Sequence, residues 1–217
     1  MTARIDASDL AQRQRERLPL ALQRAQAKLA ILYVDVTTAP LIKASQKAKT
    51  VAQRVIWLQR AASAWAKPMK EVSACRMGCS HCCHIPVTIS LVEAQLLGRA
   101  SGRTPNPPDR SIRLTDQSSL EALDAMERQL HDGPLTPCPF LRVGRCSVYE
   151  HRPMACRTLL NLDDDDLLCR HAEGAEAEVP YADARKLKGF ALMAQPGTQY
   201  ADIWDFFPAS SGPRPSP

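Results

Sequence analysis

Eight cysteines carry the chemistry of this 217-residue sequence, and all of them fall between Cys75 and Cys169. The first four, Cys75, Cys79, Cys82 and Cys83, read C-x3-C-x2-C-C. The two-residue gap from Cys79 to Cys82 lets a tight turn aim both sulfurs at one ion, as in tetrahedral zinc thiolate sites or iron–sulfur ligation. Adjacent side chains diverge on helix and strand alike, so Cys82 and Cys83 are expected to serve two centres, or one ligates while the other packs. The other four, Cys138, Cys146, Cys156 and Cys169, are separated by seven, nine and twelve residues. Cys156 follows Pro153 in RPMACR, which places it in the first turn of a helix. There the helix dipole, with Arg152 and Arg157 on either side, is expected to lower its pKa toward the metal-binding thiolate. His81 and His84 lie beside the first set, and His151 and His171 beside the second. Imidazole is an ordinary zinc or iron ligand, but a histidine next to a ligand more often orients it, and the sequence leaves these four open.

Composition narrows the setting. The N-terminus MTARIDASDL has no apolar stretch of the signal-peptide kind, and the longest apolar run, Leu29 to Val34, is too short to cross a bilayer. The expected compartment is cytoplasmic, with no membrane association. In a reducing cytosol clustered thiols point to metal or redox chemistry rather than to a disulfide framework. Aromatics at 5% argue against a large all-β core and against a base-stacking surface. There is no Gly-rich phosphate loop, no G-x-S-x-G, no H-E-x-x-H and no dinucleotide fingerprint, so the sequence leaves open whether the protein is an enzyme.

The elements that must position the thiols divide by charge. Residues 1–70 carry 13 Lys and Arg against four acids, a local net of +9, while the remainder carries 15 against 19, a net of −4. Leu18, Leu22, Ala25, Leu29, Leu32 and Val36 form one apolar stripe, and Val51, Val55, Leu58, Ala62 and Trp65 form another. This spacing predicts two antiparallel helices broken at Thr37–Pro40, with Pro19 in a first turn and a separate short helix from Ser8 to Arg17. The basic charge is scattered and lacks aromatic interleaving, so nucleic acid is an unlikely partner; docking on the cysteine region or on a protein partner fits better. Further on, SLVEAQLLGRA from Ser90 predicts a capped helix ending near Gly102, and a second helix spans Ser118–His131. A small hairpin is expected around Gly144, and short helices over Pro153–Leu160 and Tyr181–Ala194. Asp163–Asp166 is a run of four carboxylates, read as a solvated loop rather than a hard-cation site.

CRMGCSHCC at Cys75–Cys83, CPFL at Cys138–Leu141 and CSVYEHRPMACR at Cys146–Arg157 together resemble the cysteine-cluster family of zinc- or iron-chelating domains (YkgJ-like, CxxCxxCC type). The third block is the most specific, with Tyr149, Arg152, Pro153, Cys156 and Arg157 all in register. The resemblance implies a metal or iron–sulfur site formed by the matched cysteines. It also extends, through larger proteins, to flagellin lysine methylases; this chain lacks their long extensions and has His81 where a small residue often stands.

The expected architecture is therefore mainly α: a small, irregular, metal-organised cysteine domain preceded by a helical hairpin. Its divisions are a basic helical extension over 1–70, a metal-binding domain over 71–172, a C-terminal helix within 173–200 and a disordered tail over 201–217. The expected metal ligands are Cys75, Cys79, Cys82, Cys83, Cys138, Cys146, Cys156 and Cys169. They would hold zinc or an iron–sulfur cluster, and an iron–sulfur-dependent enzyme is the alternative reading.

Overall fold

The computed structural model describes residues 7–32, 37–76, 78–131, 135–171 and 178–208. It is mainly helical. The basic segment holds α1 (Ala7–Ile31), α2 (Thr38–Lys47) and α3 (Val51–Val72). A helical hairpin is present, formed by α2 and α3 across the turn at Ala48. Ala48 N–H donates to the Ser45 carbonyl at 3.1 Å, Ser45 Oγ donates to the Arg54 carbonyl at 3.0 Å, and Thr50 and Gln53 close a reciprocal capping box on α3. Thr38–Pro40, expected as part of a break, is the first turn of α2.

The short helix to Arg17 and the helix from Pro19 are in fact one continuous element, α1. Pro19 sits inside it on an exposed face, where loss of one backbone N–H costs about 3 kcal/mol or more. Burial of Leu10 and Gln14 before it, and of Ala21 and Ala25 after it, offsets that cost by fixing both halves to the same surface. The predicted apolar stripe does not face inward. Leu22 and Leu29 are 40% and 44% exposed, and of that stripe's described members Ala25 alone is fully buried.

The α3 stripe is as predicted, with Val55, Leu58 and Ala62 buried. Its small residues Ala61 and Ala62 let α6 (Met154–Thr158) and α7 (Arg185–Met193) approach, and Leu58, Met154 and Leu187 pack between them. β1 (Thr88–Ser90) leads directly into α4 (Leu91–Ser101). Ser90 and Glu93 form the capping box of α4, and Gly102 ends the helix at φ 70°. Glu93 ties three helices: its carboxylate accepts Met154 N–H at 2.8 Å, Gln59 Nε2 at 3.4 Å and the Ser90 N–H at 3.4 Å. Gly98 matters for space. A Cβ there would stand 2.6 Å from the Arg103 carbonyl oxygen, so Gly98→Ala is expected to destabilise the chain by about 1–3 kcal/mol, measured by urea denaturation.

β2 (Ile112–Arg113), α5 (Gln117–His131), the hairpin β3 (Leu141–Arg142) and β4 (Arg145–Cys146), and then β5 (Gln199–Asp202) and α8 (Ile203–Phe206) complete the order. Val143 and Gly144, at φ 47° and 70°, make the tight hairpin turn that the sequence suggests. β5 is the central strand of an antiparallel sheet ordered β1-β5-β2. This corrects the expected disordered tail from residue 201. Ala201, Ile203, Phe206 and Phe207 are at most 3% exposed and join Val87, Ile89, Leu97, Phe140 and Val148 in the largest apolar cluster. Phe140 and Phe207 meet edge to face at 4.9 Å, under the Arg103 guanidinium. Residues 209–217 lie outside the described residues. No described helix is long and apolar enough to cross a membrane.

Candidate metal centre

The thiols sit on short loops held by backbone bonds between distant segments. Cys75 follows the end of α3, where Ala74 N–H donates to the Asn161 carbonyl at 2.9 Å. Cys79, which is exposed, follows Gly78 at φ 91°. Cys82 and Cys83 occupy a 3-10 turn over His81–Cys83, and the Cys83 carbonyl accepts Cys138 N–H at 2.6 Å. That bond joins the two cysteine sets. Leu141 N–H donates to the Cys138 carbonyl at 2.8 Å and Leu141 pairs with Cys146 across the hairpin. Cys156 lies in the middle of α6, and Cys169 ends the 3-10 turn Leu167–Cys169.

Electrostatic coupling sorts the sulfurs into two neighbourhoods. Cys79 acts on Cys75, and both act on Cys169; Cys146 acts on Cys138, and both act on Cys156; Cys82 acts on members of both groups. Cys83 hydrogen-bonds Cys82. All eight are free of disulfides. Burial is the leading cause that raises Cys75, Cys138, Cys146, Cys156 and Cys169, taking Cys138 to about 11 and Cys169 to about 12, and neighbouring thiols add to it. For Cys82 the hydrogen bond with Cys83 ranks first and burial second.

The expected lowering of Cys156 by the helix terminus is overturned. Its burial and the nearby Cys82, Cys138 and Cys146 raise its pKa well above the ordinary value, and Arg152 opposes the rise. Arg157 donates to the carbonyls of Arg152 and Glu150 and to Ser63 Oγ, and remains close enough to Cys156 for their charges to attract. Arg152 rests its guanidinium 4.0 Å from the Tyr149 ring centroid and favours ionisation of Cys82, Cys146 and Cys156 alike.

Asp163–Asp166 is no solvated loop. Asp163 is wholly buried and bridges Arg17 at 2.9 Å and Arg24 at 3.2 Å. Arg17 also meets Asp165 at 2.7 Å, and Arg24 and Lys28 meet Asp164 at 3.0 and 2.8 Å. Gln14 Nε2 donates to the carbonyls of Leu167 and Arg170 at 2.9 and 2.8 Å, capping the turn that carries Cys169. Gln14, Arg17, Ala21, Arg24 and Lys28 recur at helical spacing, so one face of α1 is a polar strap over the acidic loop. Asp166 continues the chain of pairs to His81 at 2.9 Å and Arg170 at 2.9 Å. His171 Nε2 in turn lies 3.0 Å from the His81 carbonyl.

Sequence reasoning missed two neighbours of Cys169. Asn161 is 1% exposed, and its Nδ2 donates to Cys169 Sγ at 3.3 Å and to the Asp165 carbonyl at 3.0 Å, while Oδ1 accepts Asp163 N–H at 2.9 Å. Tyr181, bridged to Asn161 in a short antiparallel pairing, hydrogen-bonds Cys169. Neither has a local sequence signal, because each acts through pairing between segments.

Among the described residues, no group of three or more His, Cys, Asp or Glu side chains is gathered tightly enough to hold one metal ion. The chemistry of the donor set nevertheless fits a soft or borderline metal. A bare thiolate is costly among buried neighbours, and a bound cation reverses that cost for every sulfur it touches. Residues 74–178 match the family described as a putative zinc- or iron-chelating domain (CxxCxxCC). No curated protein and no solved structure gives a match.

Proposed function

We propose that this chain, which carries a zinc- or iron-chelating domain of the CxxCxxCC type, is a metal-binding protein that holds zinc or an iron–sulfur cluster through its clustered cysteine thiolates. The observation that carries this reading is the meeting of two thiol neighbourhoods, Cys75–Cys79–Cys169 and Cys138–Cys146–Cys156, at Cys82. Ligation in this reading draws the sulfurs closer than they stand, with Cys82 as the thiolate both sets have in reach. Thiolates suit zinc and the irons of a cluster equally, and such a group supplies either a fixed structural node or an electron-transfer centre. The chain's own residues would support it: Asn161 and Tyr181 hydrogen-bond Cys169, and Arg152 would offset thiolate charge near Cys82, Cys146 and Cys156.

The test is anaerobic purification followed by a visible spectrum and elemental analysis for iron, sulfide and zinc. Brown protein with stoichiometric iron and sulfide supports a cluster, and colourless protein with stoichiometric zinc supports a zinc centre. Folded protein that holds neither metal under these conditions overturns the reading. In the same assay Cys82→Ser is expected to lose most of the bound metal and Cys83→Ser to keep most of it. Equal retention in both variants removes the central role given to Cys82.

A further inference from the structure

The helices of the basic segment use their charge in two different ways. On α1, Arg17, Arg24 and Lys28 are matched by Asp163, Asp164 and Asp165 of the same chain. On α2 and α3 there is no such match. Residues 38–72 hold seven Lys and Arg against one acid, Glu71. Lys43, Lys47, Lys49, Arg60 and Lys67 are all exposed, and among the described residues no carboxylate pairs with any of them. Geometry gathers these charges on one side. Leu41 and Ile42 of α2 and Leu58, Ala61 and Ala62 of α3 pack into one cluster with Met154 and Leu187, so both helices lie on the same layer. Helical periodicity places Lys43 and Lys47 one turn apart on α2, and Arg60 and Lys67 two turns apart on α3, each opposite the residues its helix turns inward. The Ser45–Arg54 hydrogen bond and the capping box of α3 hold the two rows in a fixed relation, with Lys49 in the turn between them.

A rigid, one-sided cationic surface with no counter-charge in its own chain is complementary to an acidic partner. We infer that the outer face of α2 and α3 is a docking surface for an acidic helical segment of another protein, with carboxylates at i, i+4 and i+7. Those carboxylates repeat the spacing of Lys43 with Lys47 and of Arg60 with Lys67, so one helix laid along the face meets both rows. Three observations favour a protein over other polyanions. Trp57 lies 4.6 Å beneath the Arg60 guanidinium, so its ring face is covered and offers no platform for a base. Residues 71–217 carry a net charge of −4, so a nucleic acid running past the hairpin meets repulsion, whereas a short acidic helix ends where the face ends. No large apolar side chain on α2 or α3 is exposed to enter a bilayer. Contacts made by exposed lysines are individually weak and screened by salt, which makes the docking transient. The inference draws on none of the thiols and stands whichever metal they hold.

The experiment titrates the full chain into a fluorescein-labelled peptide of repeating Glu-Ala-Ala-Glu, about 20 residues or one length of α3, and follows fluorescence anisotropy. A labelled DNA duplex of similar length and phosphatidylserine vesicles serve as the competing polyanions. Saturable one-to-one binding of the peptide is expected, tighter than that of either competitor and weakening steadily as salt is raised. The triple variant Lys43→Glu, Lys47→Glu, Lys67→Glu is expected to weaken the peptide at least about tenfold. These three side chains have no partner in their own chain, so the unfolding curve of the variant should stay in place. The neutral counterpart Lys43→Gln, Lys47→Gln, Lys67→Gln should lose roughly half as much on a logarithmic scale, since it removes attraction without adding repulsion. Arg128→Glu, an exposed charge on α5, should change the affinity by less than about twofold. Absence of saturable peptide binding, tighter binding of the duplex or the vesicles, or equal affinity in the triple variant and the unaltered chain overturns the proposal.

Discussion

Asp163→Ala is expected to lower stability by about 3 kcal/mol and to release α1 from the acidic loop. Removing one partner from a buried ion pair leaves the other charge uncompensated, and the range for such losses is about 3–5 kcal/mol. The lower end applies because Arg17 and Arg24 keep 20% and 30% side-chain exposure and can rehydrate, whereas Asp163 has none. At roughly 2–4 °C per kcal/mol for a chain of this size, the melting temperature should fall by about 6–12 °C. Hydrogen exchange should show the loss first in α1 and in the turn carrying Cys169, because Gln14 caps that turn from the same helix face. Acid should act on the same strap. The Lys28 hydrogen bond leads in holding Asp164 below its ordinary 3.8; for Asp166 burial pulls upward, and the hydrogen bonds from His81 and Arg170 outweigh it. A carboxylate lowered on folding stabilises above its unfolded value and loses that contribution as pH falls through its folded value. Protection of α1 in the unaltered chain is therefore expected to begin weakening as pH falls through about 4 and to be lost at lower pH, ahead of the apolar core around Phe206. A loss under 1 kcal/mol in Asp163→Ala would show that α1 is held by its apolar contacts alone.

The same strap explains why α1 is turned differently from its hydrophobic pattern. Leu18, Leu22 and Leu29 mark an apolar face by spacing, yet Gln14, Arg17, Arg24 and Lys28 are the residues aimed at the loop. A buried Asp163 and the open carbonyls of Leu162, Leu167 and Arg170 require donors, and that demand is visible only once the acidic run is known to be buried. Elements with local signals were legible. Ser90, Glu93 and Gly102 bracket α4, Pro153 opens α6, and Gly144 turns the β3–β4 hairpin. The strands β1, β2 and β5 were not, because β1 and β2 acquire meaning only by pairing with β5 more than eighty residues later. The composition of the C-terminal tail likewise concealed that Phe206 and Phe207 stand at the head of the core. The thiols were legible as a set from residue type and clustering. Asn161, which gathers Cys169, the Asp163 loop and the Cys75 segment, was not.

Complete metal removal by a chelator, under reducing and anaerobic conditions, is expected to lower the melting temperature by about 6–20 °C. Structural zinc contributes about 10–16 kcal/mol in small domains that have no other core. This chain has one: Ile89, Leu97, Phe140, Ala201, Phe206 and Phe207 are buried in an apolar cluster, against which Cys138, Cys146 and Cys156 pack, and α2–α3 is closed by its own turn and caps. The effect should therefore be a fraction of that figure, about 3–5 kcal/mol, and confined to the segments with least apolar anchoring. Residues 75–83 are the extreme case, since none of the described residues there is buried and their order rests on a few backbone bonds and the thiols themselves. Amide exchange should rise across 75–83 and 165–171 while α3 and α4 stay protected. Asn161→Ala should reproduce part of that change with metal still bound, because it removes the donor to Cys169 and the acceptor of Asp163 N–H together. An unchanged melting curve after verified removal of all metal would mean that the apolar core alone sets the fold, and the thiols would then be cargo sites rather than structural ones.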